Sequence, residues 1–257
     1  MNKKENTGYI LNSKVSALTF DETVKMIEDI IHLNTRSYVC IANTHSLVTA
    51  TNNIKFFDAL NNADIVTPDG MPLVWALKRV GFKHQNRVDG PKLMEKLCEI
   101  SATNQYKIFL YGSTEETLNQ LENELLARYS KIKIVGKISP PFGEITKQKN
   151  EEMIRKINST NPDLVFVGLG CPKQEIWMAE NSNQINSILL GVGAAFDFIA
   201  GNQKRPHYII QNMGLEWLYR LVSEPKRLWK RYLYNNPVYI YRYFKTYRKD
   251  KRRTLGM

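Results

Sequence analysis

Asp69 stands where a carboxylate can do chemistry. It follows the short apolar run 64–66 and Thr67-Pro68, precedes Gly70, and leads into an apolar pattern at helical spacing through Trp75. A buried strand, a turn and a helix start in that order put the carboxylate beyond the carboxyl end of a strand. Open α/β sheets bind their ligands there. An Asp before Gly is also an ordinary turn or cap residue, and the stretch by itself leaves both readings open. Three further groups sit at comparable places. Asn43, Thr44 and His45 close the apolar run SYVCIA, Arg87 precedes the turn Val88-Asp89-Gly90-Pro91, and Gln174 with Glu175 starts a helix after Gly168-Leu169-Gly170-Cys171-Pro172. Each has a plain alternative: a loop histidine, a surface arginine, a glutamate favoured by the helix dipole.

Several chemistries find no support. The four histidines lack ligand spacing, and no metal site is expected. There is no Walker A loop, no zincin motif, no GxSxG and no DxD pair. A nucleotide diphosphate would therefore be met by Arg, Lys, amides or helix N-termini, with Arg87 a candidate. Neither Gly168-Leu169-Gly170 nor Gly191-Val192-Gly193 completes GxGxxG, since Lys173 and Phe196 stand at the third glycine position. That weakens an oxidoreductase reading. Gly193 and its neighbours can still let a ligand approach the main chain, or simply pack a strand on a helix.

The elements needed to hold these residues follow from the hydrophobic pattern. Residues 9–20 read as a short strand or hairpin, and Asp21 as the cap of a helix. Strands are expected at 37–42, 64–66, 107–111, 132–135, 163–167 and 187–192, separated by helices, with a helical stretch through Leu60. The alternation implies an α/β fold: a mostly parallel sheet of Rossmann-like βαβ units with helices on both faces. The catalytic body is expected over residues 1–203 and a basic, helical, aromatic C-terminal appendage over 204–257. Leu215, Leu218, Leu221 and Val222 form one apolar stripe there, and Leu228, Trp229, Tyr232 and Leu233 another. Arg220, Arg227 and Arg231 share a helical face if the helix continues through Pro225. Asn235-Asn236-Pro237 is expected to break the run, and the segment after it fits strand and helix equally.

Charge sharpens that division. The chain carries a net charge of +11, and residues 204–257 hold 14 Lys+Arg against 3 Asp+Glu, together with 11 of the 27 aromatic residues. A neutral body with a basic, aromatic tail suits an anionic partner, here a membrane surface. A single strand of nucleic acid is the alternative, although no helix-turn-helix or RNP-like signature accompanies it. No apolar run is long enough to span a bilayer, and no apolar h-region follows the first basic residues. Cys40, Cys98 and Cys171 lack CxxC spacing and read as buried thiols. A cytoplasmic protein, peripheral on the inner face of the plasma membrane, is expected.

TPDGMPLVW, RVDGPKLM, GLGCPKQEIWM, GVGAAFDFIAG and GLEWLYRLVSEPKRLWKRYL, in that order from about Tyr38 to Asn236, resemble the WecG/TagA/CpsF family of bacterial glycosyltransferases. The resemblance implies an inverting, metal-independent enzyme without a cofactor. It would move a sugar, often N-acetylmannosamine or its uronic acid, from UDP to a polyprenyl-diphosphate-linked sugar for teichoic acid, capsule or exopolysaccharide. It further implies Asp69 as the base, Arg87 on the diphosphate, and Asn43 and Gln174 at the site; Thr44, His45, Gly70 and Gly193, at the same turns, are expected to bind substrate with them. Arg220, Arg227 and Arg231 would belong to an appendage that closes over the pocket and meets the membrane, and a homo-oligomer is compatible. Two positions depart from teichoic-acid members: Ile41 stands for a Thr, and DGMP for DGIG. Both flank the implied site and bear on the donor sugar, and DGMPLVW is closer to capsule and exopolysaccharide members.

Overall fold

The structure, a computed structural model, describes residues 6–256, and at positions 208, 212, 227 and 231 the main chain alone. A hairpin, β1 (Thr7–Ile10) and β2 (Ser13–Ser16), precedes α1 (Phe20–His32), β3 (Ser37–Ala42), α2 (Thr44–Ala50), α3 (Ile54–Asn62), β4 (Ile65–Pro68) and α4 (Met71–Arg79). The middle of the chain alternates through α5 (Gly90–Asn104), β5 (Lys107–Gly112), α6 (Glu115–Arg128), β6 (Lys133–Ile138), α7 (Lys147–Ser159), β7 (Leu164–Gly168), α8 (Lys173–Asn181), β8 (Ile188–Gly191) and α9 (Ala195–Ile199). The last fifth is helical: α10 (Tyr208–Asn212), α11 (Glu216–Ser223) and α12 (Pro225–Leu255).

The strands β3 to β8 form a six-stranded sheet in the order β4-β3-β8-β7-β5-β6, with the pairs β3–β8, β8–β7, β7–β5 and β5–β6 parallel. Every residue of β3, β4 and β8 is buried, as are five of the six in β5. Successive side chains of a strand point to opposite faces, so runs of this kind require both faces to be covered. The α/β expectation is met. The chain divides into two compact units, residues 22–40 with 90–204, and residues 1–21 with 41–89 and 205–257.

In the unit of residues 22–40 and 90–204, α5 and α6 pack on α9, and α8 packs on β8. Thr114 and Thr146 cap α6 and α7 by accepting from Thr117 N and Lys149 N. Glu175, in the first turn of α8, is 1% exposed, and burial pushes its carboxyl up to about 7. Its Oε1 accepts from Gln174 Nε2 at 2.9 Å, while Oε2 has no hydrogen-bond partner. Because the unfolded chain ionises near 4.5 and the folded one near 7, the folded state binds the extra proton between those values. Stability is fully present below about 4.5 and is lost as pH rises to about 7. Glu175→Gln is expected to flatten that slope in urea unfolding measured from pH 4.5 to 8. An unchanged slope in the variant would assign the pH dependence elsewhere.

In the other unit, the hairpin lies beside β4 and α4, and α12 runs along β1 and α2. The last turns of α12 are fastened to the hairpin by Asp250, which is 2% exposed. Its Oδ1 accepts from Asn12 N at 3.1 Å and its Oδ2 from Thr246 Oγ1 at 2.7 Å. The Arg253 guanidinium lies 3.7 Å over the Tyr9 ring. Helix α4 buries Leu73, Val74, Ala76 and Leu77, which share one face at spacings of one, three and four, and leaves Trp75 55% exposed. Each fully buried Leu contributes about 1.5–3 kcal/mol.

Three local expectations are corrected, and the condition set on Pro225 is not met. Asp21 lies inside the first turn of α1 rather than at its cap. The helix through Leu60 is interrupted, because Asn53 breaks off to cap α3 by accepting from Phe56 N at 3.1 Å. The helix does not continue through Pro225. Glu224 takes φ −134°, ψ 58°, as the residue before a proline is driven from the α region. Asn235-Asn236-Pro237, in contrast, breaks nothing: Pro237 sits inside α12. Pro237 itself and Leu233, whose carbonyl loses its N–H partner, are exposed, so water can satisfy that group.

Candidate active site

Three loop starts meet in the unit of residues 1–21, 41–89 and 205–257. Asp69 N donates to Ala42 O at 2.7 Å, which holds the end of β4 against the end of β3 and brings Asp69 beside Asn43. Val88 N donates to Pro68 O at 3.1 Å, and Thr67 Oγ1 to Val88 O at 3.2 Å. Those two bonds fold Arg87 back onto Asp69 across eighteen positions of sequence. Arg87 Nε and Nη2 then both donate to Asp69 Oδ1, at 2.9 and 2.7 Å. Gly70 carries φ +128°, a conformation that strains any L side chain. That residue lets the chain turn straight from the carboxylate into α4, whose start holds Pro72.

The electrostatics follow from this packing. Asp69 has a side chain 21% exposed. Burial raises its pKa above the ordinary carboxylate range; the Arg87 charge opposes this, and the charges of Asp89 and Glu216 add to the rise. Burial works against the charge of Arg87, but Asp69, Glu216 and Asp89 outweigh it and hold the guanidinium ionised. Arg87 Nη1 lies 2.8 Å from Glu216 Oε2, which comes from the first turn of α11. Asp89, 2% exposed, pairs in turn with Arg205.

A cavity of about 580 Å³ opens over Asp69. Asn43, Thr44, His45, Asp69, Gly70, Arg87, Glu216 and Arg220 are among the residues that line it. Aromatic residues line it as well, with Trp75 from α4, Trp217 from α11, and Tyr239, Tyr243 and Phe244 from α12. Asn43 has a second duty that its place in the sequence did not suggest. It caps α2 in a reciprocal box, its Oδ1 accepting from Ser46 N at 3.2 Å and Ser46 Oγ accepting from Asn43 N at 3.3 Å. The cap engages Oδ1, and Asn43 also lines the cavity. His45 Nδ1 lies 3.0 Å from Asn235 Nδ2 and 3.4 Å from Thr49 Oγ1. Tyr239 Oη donates to Pro72 O at 3.3 Å.

Seven of the residues singled out from sequence thus line one cavity: Asn43, Thr44, His45, Asp69, Gly70, Arg87 and Arg220. Gln174 and Gly193 belong to the other unit, where they meet each other. Gln174 Oε1 accepts from Gly170 N at 3.1 Å, and Nε2 donates to Gly191 O at 3.0 Å, so its polar atoms tie the start of α8 to the end of β8. Gly193 has φ +52°, and a Cβ there would lie 3.3 Å from Gln174 Oε1. The side chains of Arg227 and Arg231 lie outside the described residues. Glu216, Trp217, Asn235 and Tyr239 were not assigned roles from sequence. A glutamate in a first helical turn reads as a dipole partner, and its pairing with a residue 129 positions away has no local signal.

Among the described residues, no helix is long and apolar enough to cross a membrane, and no group of three His, Cys, Asp or Glu residues could hold a metal ion. The Asp69 carboxylate, paired with Arg87, thus lies beyond the carboxyl end of β4, the region where open α/β sheets bind their ligands. The particular family follows from comparison. Residues 9–253 match the family described as glycosyl transferase WecG/TagA/CpsF, and the chain belongs to that family. A protein of Staphylococcus aureus (strain MW2), named N-acetylglucosaminyldiphosphoundecaprenol N-acetyl-beta-D-mannosaminyltransferase, is 30% identical over 258 residues, covering 97% of this chain and 98% of its own. A protein of the same name from S. aureus (strain NCTC 8325 / PS 47) matches with the same identity and coverage.

Proposed function

We propose that this chain transfers an N-acetylmannosaminyl group from UDP to N-acetylglucosamine carried on a polyprenyl diphosphate, with inversion and without a metal. The observation that carries the reading is the Asp69–Arg87 pair at the end of β4, facing the cavity in a chain that matches the mannosaminyltransferases over nearly its whole length.

In this reading Asp69 takes the proton from the acceptor hydroxyl as that oxygen forms its bond to the anomeric carbon. The bond from that carbon to the UDP oxygen breaks, and its electron pair leaves with UDP. Arg87 supports the charge that develops there, so no proton donor is needed on the leaving side. UDP-sugars are α-linked, and the relatives' names specify a β product, which is the outcome of one displacement with inversion. Asp69 suits the role of base, because burial and two neighbouring carboxylates raise its proton affinity while Arg87 keeps it ionisable. Asn43, Thr44 and His45 bring polar side chains to the same cavity, where sugar oxygens would bind.

The lipid-linked acceptor gives the tail its role. Val222, Leu233, Ile240, Tyr241 and Phe244 are 56–74% exposed on α11 and α12, among fourteen basic residues of the last fifth of the chain. That combination supports peripheral binding to the anionic cytoplasmic face of the plasma membrane, each basic group near the surface contributing about 1 kcal/mol. The test is UDP release by the purified chain with a panel of UDP-sugars and a short-chain lipid-diphosphate GlcNAc acceptor. Acceptor-dependent release with UDP-ManNAc that survives EDTA is expected. Release abolished by EDTA and restored by a divalent ion would overturn the metal-free mechanism; release with another donor only would reassign the sugar.

A further inference from the structure

Arg87 is fully claimed by the protein's own carboxylates, and the two claims differ in kind. Asp69 Oδ1 receives two aligned hydrogen bonds, from Nε and Nη2. Glu216 Oε2 lies 2.8 Å from Nη1, yet it is buried without a hydrogen-bond partner. The contact with Glu216 is therefore an attraction between charges off the hydrogen-bond line, and the oxygen has given up water without a donor in return. Such an arrangement is costly for a buried carboxylate. It persists because the guanidinium, 16% exposed, would otherwise present Nη1 to the cavity with no anion beside it.

We infer that Glu216 is a positioning residue that occupies, in the unliganded protein, the place on Arg87 Nη1 that the donor's diphosphate takes. The inference rests on the UDP-sugar reading above. A phosphate group offers several oxygens to a planar guanidinium and can align with Nη1 as Glu216 does not. Glu216 meanwhile keeps Arg87 turned toward Asp69, so the base is already oriented when the donor arrives. Its place in the first turn of α11, beside Trp217 and four residues before Arg220, means that giving up Arg87 releases the start of the helix that carries two other cavity residues. Donor binding is thereby linked to α11.

A merely structural glutamate and a displaceable one give opposite signs. Titration calorimetry of wild type, Glu216→Gln and Glu216→Ala with UDP, inorganic pyrophosphate and uridine separates them. Removing the competing charge is expected to tighten UDP and pyrophosphate roughly fivefold, the size of a partly screened charge pair, and to leave uridine unchanged. UDP and pyrophosphate binding that is weaker or unchanged in both variants would overturn the inference. Tightening for pyrophosphate in a protein that does not bind UDP would uphold Glu216 and sink the UDP-sugar reading instead. Using both variants guards against an amide that fails to pack, and an unfolded variant shows itself by binding none of the three.

Discussion

Asp69→Asn is expected to lower kcat by about 10²- to 10⁴-fold, the usual worth of a positioned general base, while UDP binding stays within a few fold. The separation follows from geometry. An amide oxygen at Oδ1 can still accept both Arg87 bonds, so the arginine stays in place. What the amide lacks is the capacity to take a proton. The pH profile gives an independent reading. Since burial first, then Asp89 and Glu216, raise the proton affinity of Asp69, the acid limb of the wild-type rate lies above the ordinary aspartate range. Activity requires the ionised form and so falls as pH drops through that raised value. The residual rate of the variant should lose this limb. Retention of both rate and limb would remove Asp69 from the chemistry.

Arg87→Ala is expected to act on binding. Losing a charge-assisted hydrogen bond from Nη1 to phosphate, at about 1.5–3 kcal/mol, predicts a loss of UDP affinity on the order of 10- to 10²-fold. The same change leaves Asp69 and Glu216 facing the cavity without their cation, so the melting temperature should fall as well. Arg87→Lys separates the two effects. It restores charge between the carboxylates, recovering stability, but a single ammonium cannot reproduce the three-sided contact that Nε, Nη2 and Nη1 make. UDP affinity in Arg87→Lys is expected to stay well below wild type. Calorimetry and thermal unfolding on the same samples check both statements; UDP affinity unchanged in Arg87→Ala would free the diphosphate from this residue.

What could be read ahead of the structure divides along a physical line. The strands were legible because runs such as 37–42 and 163–167 are apolar on both faces, which only a doubly covered sheet explains. Asp69 was legible because an apolar run ending in Pro-Asp-Gly marks a strand end and turn. Asn43 looked like a site residue, and it lines the cavity while its Oδ1 caps α2. Glu216 was not legible, since its partner is set by tertiary folding of the last fifth of the chain. The prolines show the same limit. Pro225 ends a helix and Pro237 does not. On either side of Pro237, Asn235 Nδ2 lies 3.0 Å from His45 Nδ1 and Tyr239 Oη donates to Pro72 O, contacts that tie α12 to distant parts of the chain. Local sequence states a preference; long-range packing overrode it at one site only.

The central claim is tested most directly by the product itself. Wild-type protein would be incubated with UDP-ManNAc and a short-prenyl diphosphate GlcNAc, and the acceptor analysed by mass spectrometry and by NMR of its new anomeric proton, beside Asp69→Asn. One added N-acetylhexosamine in a β linkage, formed by wild type and not by the variant, is the predicted result. An unmodified acceptor in the presence of bound UDP-ManNAc, or a product with the α configuration of the donor, would contradict it.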